Sequence, residues 1–193
     1  MLLAAHLDNE QLEQARKRVR DWRATMPVGD LGLQRDQEEI LLNATAQDDL
    51  DVVQRLLTAG VDANAINEAG RTALIVTAWR GHYKVLQTLA SAGVDLDAAD
   101  HQGRTTLSWA AINGFSQVAQ MLLREMATVE VRDESGLTPL IRAAWNGHEE
   151  IVKALIAEHD VNAADSRGIT ALQRAKARNE TAIIAHLRAA GAR

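Results

Sequence analysis

The stretch "GLTPLIRAAWNGHEEIVKALI", Gly136 to Ile156, decides how this chain is read. Asp133 and Gly136 bracket a tight turn, with the glycine supplying φ > 0. Thr138 follows as a helix N-cap. Pro139 suits the first helical turn, where a missing N–H costs nothing. A short Ala-rich helix comes next, and its small residues let a neighbouring helix approach closely. After Asn146-Gly147-His148 a second helix begins, with an apolar stripe on one face.

The pattern recurs. Glycines stand at Gly70, Gly103, Gly136 and Gly168, at spacings of 33, 33 and 32. They lie in "NEAGRTALIVTA", "DHQGRTTLSWAA", "DESGLTPLIRAA" and "DSRGITALQRAK". The cap recurs at Thr72, Thr105, Thr138 and Thr170. The second helix carries apolar positions such as Val85, Leu86, Leu89 and Ala90, and ends at an αL glycine such as Gly60 or Gly93. A degenerate earlier copy covers Ile40 to Ile66. One unit is a turn, two helices and a return loop. Alone it cannot bury its apolar face, whereas stacked copies can.

This unit resembles the ankyrin repeat, with its period of about 33 residues and its T-P-L-H-x-A signature. The resemblance covers roughly residues 34–193 and implies an all-α solenoid of stacked helix-turn-helix units with hairpin-like finger loops. The expected division is a degenerate unit at 34–66, then repeats at 67–99, 100–132, 133–164 and 165–193. The signature histidine is replaced by Ile75, Ser108, Ile141 and Gln173. In the family that histidine bonds between neighbouring turns, so these joints must be held in another way. The return-loop glycine is lost at Met126 and His159. A non-glycine residue at αL costs on the order of 1 kcal/mol, so the loops after the third and fourth units are expected to be strained or differently shaped. Residues 1–33 lie outside the pattern. Leu7, Leu12, Ala15, Val19 and Trp22 suggest an amphipathic helix, broken at Met26-Pro27. It is read as a cap on the stack, with Trp22 a packing residue, or alternatively as a partner-binding arm.

Composition narrows the function. A chain of 193 residues is one domain, or one domain with an appendage. No apolar run reaches the roughly 18 residues that span a bilayer, and the N-terminus lacks a signal-peptide pattern. A cytoplasmic location is expected, or a periplasmic or secreted one if a signal has been removed. The absence of cysteine excludes disulfides, thiolate zinc sites and cysteine nucleophiles. The net charge of −5 opposes nucleic acid and anionic membrane as partners. Seventeen arginines against four lysines, with abundant alanine, suggest a GC-rich bacterial genome.

No phosphate-binding loop, nucleophile elbow or zincin motif is present. "HEEIV" at His148 lacks the second zincin histidine, and the six histidines do not cluster in sequence. In the family the Gly-His ring, here His82 and His148, caps local backbone. No catalytic residue, metal ligand or cofactor is therefore expected. An enzyme site would have to draw on His6, Asp8, Glu10 and Asp21 in the non-repeat segment.

The candidate site is a protein-binding one. In the family the residues before Gly-His face the concave groove. Here they include Trp79-Arg80, Ile112-Asn113 and Trp145-Asn146, with Arg178 in the last repeat. Trp109 shares a helix face with Ile112, and Arg71 and Arg104 flank the turn tips. Tryptophan and arginine dominate interface hot spots. The expectation is a groove that takes an acidic protein partner, in a chain monomeric on its own. An inhibitor, immunity or adaptor role would follow. The same tryptophans would also suit packing against the neighbouring helix.

Overall fold

The computed structural model describes residues 34–125 and 127–193. The expected N-terminal helix with Trp22, the enzyme candidates of that segment and the expectation for Met126 lie outside them. Among the described residues there are ten helices and no strand beyond isolated bridges. They are α1 (Gln34–Ala46), α2 (Leu50–Thr58), α3 (Ala73–Arg80), α4 (Tyr83–Ser91), α5 (Thr106–Asn113), α6 (Ser116–Arg124), α7 (Pro139–Asn146), α8 (Glu149–Leu155), α9 (Ala171–Arg178) and α10 (Thr181–Ala189). The all-α repeat solenoid expected from the sequence is what forms.

The helices start and stop for local reasons. Thr72, Thr105, Thr138 and Thr170 are N-caps, and each hydroxyl accepts from the backbone N–H three residues on. The donating positions are Ile75, Ser108, Ile141 and Gln173, where the signature histidine is missing. Ile75 and Ile141 are fully buried. The Ser108 hydroxyl lies 3.3 Å from that of Thr105, and Gln173 closes a capping box onto Thr170. These joints are thus held by apolar packing and local capping. Gly81, Gly114 and Gly147 end α3, α5 and α7 in the left-handed region, and Asn179 does so for α9.

Two rows of helices result. The odd-numbered helices α1 to α9 pack in sequence, each against its neighbours, and the even-numbered helices α2 to α10 do the same behind them. Ala73, Ala78, Ala110, Ala111, Ala143 and Ala144 are fully buried, and their small size allows the close approach. Each even helix buries one stripe, such as Val85, Leu86 and Leu89 in α4 or Ile151, Val152 and Leu155 in α8.

The fingers are tied one to the next through the main chain. His101 N–H donates to Ala69 O at 3.2 Å, Glu134 N–H to Gln102 O at 3.0 Å, and Ser166 N–H to Ser135 O at 3.1 Å. Gly136 shows how tight this is. Its φ is +74°, and a Cβ there would stand 2.7 Å from the Ser166 backbone nitrogen. On the return loops a side-chain oxygen accepts a backbone N–H from the next unit. Asn64 takes Asp95, Asp97 takes Thr128, Glu130 takes Asp160 and Asn162 takes Arg193.

His82 and His148 do not cap their own helices. His82 Nδ1 lies 2.9 Å from Thr45 O and His148 Nε2 lies 3.0 Å from Ile112 O. Each ring bridges to the preceding unit, which corrects the local-cap expectation.

The loop after the fourth unit is rebuilt. His159 is not in the left-handed region; among described non-glycine residues only Asp48 and Asn179 are. Helix α8 has seven residues where α4 and α6 have nine. The 32-residue spacing explains this. Six residues before Asp100 and Asp133 stand Val94 and Ala127, both buried; six before Asp165 stands His159. The αL residue has been deleted and a histidine occupies the slot of a small apolar side chain. Both of its ring nitrogens are buried without a hydrogen-bond partner. Burial holds its pKa below the ordinary value, against the pull of Glu130 and Asp160.

His159→Val should therefore stabilise the protein by roughly 1 kcal/mol at neutral pH, through relief of an unpaired buried polar group. The unfolded chain protonates near pH 6.5 and the folded chain only lower. Wild-type stability should thus be intact above about pH 6.5 and fall below it, down to the folded pKa. The advantage of the variant should widen between pH 7 and 5.5 in urea titrations. An advantage independent of pH would show that the ring is solvated.

Candidate functional site

Each finger is organised by the residue that opens its turn. Asp100 Oδ1 accepts the N–H groups of Gln102 and Arg104, both at 3.0 Å. Asp133 does the same for Ser135 and Leu137, and Asp165 for Arg167 and Ile169. In the first finger Asn67 uses its amide oxygen for Ala69 and Arg71. One oxygen thereby fixes the turn.

The aspartates have a second oxygen, and nine residues on each repeat supplies a donor for it. Trp109 Nε1 donates to Asp100 Oδ2 at 3.0 Å, Arg142 Nε to Asp133 Oδ2 at 3.1 Å, and Arg174 to Asp165 Oδ2 at 2.6 Å. Asn67 has no carboxylate, and the residue nine on is Val76, which is buried. The donor is present where the charge is present. Burial raises the pKa of Asp100, but hydrogen bonds from the side chain and backbone of Arg104 and from Trp109 outweigh it and hold the carboxyl below its ordinary range. Asp165 is likewise raised by burial and lowered further by hydrogen bonds from Ile169, Arg174 and Arg167.

Above these turns the aromatic and cationic groups interleave. The Trp79 and Trp109 ring centroids are 6.1 Å apart at 57°. The Arg71 guanidinium carbon lies 4.7 Å from the Trp79 centroid and 4.9 Å from that of Trp109. Arg80 stands 5.1 Å over Trp79, and Arg104 stands 4.2 Å over Trp109. Arg104 also pairs with Asp100 at 2.9 Å, while Arg71 lies 3.9 Å from the same carboxylate. Burial and the nearby Arg104 charge lower the Arg71 pKa, and Asp100 opposes them. A second cluster joins Arg174 to Trp145, 4.0 Å from the ring centroid.

The ten candidate residues therefore have different standing. Trp79, Arg80, Asn146 and Arg178 are exposed. Trp79 is 39% exposed, whereas Trp109 is 7% exposed, with its N–H on Asp100. Trp145, Ile112, Asn113, Arg71 and Arg104 are half-buried. The Asn113 amide donates to Trp79 O at 3.1 Å, and Ile112 O receives His148. Both thus serve joints between units. The structure brings Arg71, Trp79, Arg80, Arg104 and Trp109 into one cluster. Arg71 and Arg104, expected to flank the turn tips for a partner, are drawn to Asp100, as Arg142 is to Asp133 and Arg174 to Asp165.

The sequence pattern gives the turn aspartates a turn role alone. The nine-residue spacing to a donor, broken only where asparagine replaces aspartate, was the signal that could have found them. It also missed Ile66, which is 59% exposed beside Trp79. Among the described residues no group of three or more His, Asp or Glu could hold a metal ion, and no helix is long and apolar enough to cross a membrane.

With this geometry in place, comparison with known families finds a match to "Ankyrin repeats (3 copies)" over residues 41–133 and 125–193. A comparison with curated proteins finds no match.

The carboxylate clamp makes a specific demand. Asp100→Asn keeps the oxygen that holds the turn but turns an amide N–H toward Trp109 Nε1–H and Arg104. A loss of about 2 kcal/mol is expected from the buried donors left unpaired. In a Trp109→Val background the same change should cost less by about 1 kcal/mol, since Asn67 and Val76 are that combination in the first finger. The depressed Asp100 pKa also predicts that wild type loses this contribution as pH falls below about 4 toward the lower folded value, and that Asp100→Asn flattens that limb. Chemical denaturation of the four proteins at several pH values checks both; strict additivity would dismiss the indole as the partner that matters.

Proposed function

The chain belongs to the ankyrin-repeat family, and from that premise we propose that it is a non-catalytic binder of one protein partner through the face marked by Trp79 and Trp145. Ankyrin repeats are protein–protein interaction modules. The observation that carries the reading is Trp79. Its large ring is braced by Arg71, Arg80 and Trp109 and remains 39% exposed. A rigid, partly desolvated aromatic is what an interface hot spot requires. Trp145, steadied by Arg174, is the second anchor. Arg80, Asn146 and Arg178 supply the polar rim, while Trp109, Arg71, Arg104, Ile112 and Asn113 support the anchors from behind.

The acidic partner expected from the arginines is narrowed by this arrangement. Arg142 and Arg174 each face the turn carboxylate of their own unit, and Arg71 and Arg104 share that of Asp100, so the four arginines are compensated but for one charge. The acidic-partner reading is kept for the last unit, where Arg167, Lys176 and Arg178 are exposed. In this role the protein acts stoichiometrically, as an inhibitor, immunity protein or adaptor does.

The test uses a partner captured from the source lysate by the wild-type chain. Trp79→Ala and Trp145→Ala should each weaken it by about 2 kcal/mol or more, the hot-spot range, and leave the unfolding temperature nearly unchanged. Trp109→Ala should instead lower stability by roughly 3 kcal/mol, as a buried large-to-small change does. Binding unaffected by both Trp79→Ala and Trp145→Ala would remove the proposed face.

A further inference from the structure

The two ends of the repeat array carry opposite charge. Residues 34–66 hold seven acidic side chains against two basic ones; residues 165–193 hold six basic against two acidic. At the acidic end, between α1 and the first finger, lies a depression of about 880 Å³. Its apolar surface includes Leu42, Ile66 and Trp79, and its rim carries Glu38, Glu39 and Glu68 against Arg80. The large hydrophobic side chains most exposed among the described residues, Ile66 and Trp79, both line it.

Neither is there for the fold. The positions equivalent to Ile66 in the following units are Ala99, Arg132 and Ala164, so the finger forms with alanine or arginine at that place. Arg132 shows what the position does when it serves the stack: its guanidinium donates to Ala164 O at 2.6 Å, in the next finger. Ile66 is instead 59% exposed. The position of Trp79 is taken by Ile112 and Ala177 in two other units. An isoleucine and a tryptophan that the repeat does not need, placed together in water, favour an apolar occupant.

From these observations we propose that this depression seats a basic segment of the partner protein, one with a large apolar side chain flanked by lysine or arginine. The proposal rests on the protein-binding reading above and adds the chemistry of what binds. The apolar side chain covers Ile66 and Trp79, and the flanking cations face Glu38, Glu39 and Glu68. Arg80 covers one part of the Trp79 ring, so the incoming cations are directed to the glutamate side. Three carboxylates against Arg80, and against the one charge that Asp100 leaves uncompensated on Arg71 and Arg104 beside Trp79, still give the depression a negative local field. That field is opposite to the one the arginine-rich turn sequences suggest, because Arg71 and Arg104 are drawn to Asp100, Arg142 to Asp133 and Arg174 to Asp165.

The experiment is a selection of random twelve-residue displayed peptides on the full chain, followed by affinity measurement of the enriched peptides. Enrichment of Lys and Arg around a Leu, Phe or Trp is expected. Their binding should weaken about thirtyfold on Trp79→Ala, the hot-spot range converted to affinity. It should also weaken on Ile66→Ala, which is compatible with the fold because Ala99 and Ala164 stand at that place. Glu39→Lys with Glu68→Lys should abolish the preference for basic peptides, and raised salt should mimic it. Acidic or uncharged peptides that still depend on Trp79 or Ile66 would overturn the proposal and leave the protein-binding face standing. Basic peptides indifferent to Trp79, Ile66 and the two glutamates would overturn it as well. Peptides insensitive to both Trp79→Ala and Trp145→Ala, or no enrichment, would remove the binding face along with it.

Discussion

The bond between each turn carboxylate and the helix that follows it is the constraint on which the rest of this molecule depends. One oxygen of Asp100, Asp133 or Asp165 closes the finger, and the other holds a donor nine residues later. The finger is thereby locked to the helix row. A buried or nearly buried carboxylate would be costly without such partners. With two backbone N–H groups and a side-chain donor it is satisfied, and it orients an indole or guanidinium that would otherwise be free to rotate. Arg104, Trp109, Arg71 and Trp79 are stacked in sequence on Asp100. The exposed ring is therefore held by a chain of contacts that begins in the turn.

Stacking adds a second, weaker ladder. Neighbouring fingers share one main-chain hydrogen bond, and neighbouring return loops share a side-chain oxygen bonded to a backbone N–H. Each unit therefore depends on the one beside it, the condition under which repeat arrays acquire stability. The array tolerates variation at the joints because several devices serve one purpose. A histidine reaches back from His82 and His148, while at the third unit, where Phe115 stands in that place, the Asn113 amide reaches Trp79 O. The one-residue deletion before Asp165 is absorbed by a shorter α8, and its consequence is a histidine in an apolar slot.

Side chains that the stack requires and side chains that it leaves optional lie next to one another on this scaffold. Trp109 and Trp79 are in van der Waals reach of each other, yet one is buried on a carboxylate and the other faces water. Ile66 and Arg132 occupy equivalent places, yet one is exposed and the other staples two fingers. Side chains that the repeat leaves optional are where a binding surface can be written without disturbing the core.

The periodic features were legible in the sequence by itself. The glycines at 33-residue spacing, the threonine caps and the apolar stripes each follow from local backbone and burial rules, so they identify the helices and their stacking without any knowledge of distant contacts. The exposed character of Trp79 was partly legible as well, because it follows from its place in the unit, whereas Trp145 at the same place is half-buried. What the sequence could not decide was which charges cancel. Arg71 and Arg104 belong to different units and meet at one carboxylate only after the fingers stack. The carboxylates of Glu38, Glu39 and Glu68 come together with Ile66 only across the first two units, one of which is degenerate in register. The sign of the local field is a sum over neighbours in space, and those neighbours are set by the tertiary packing.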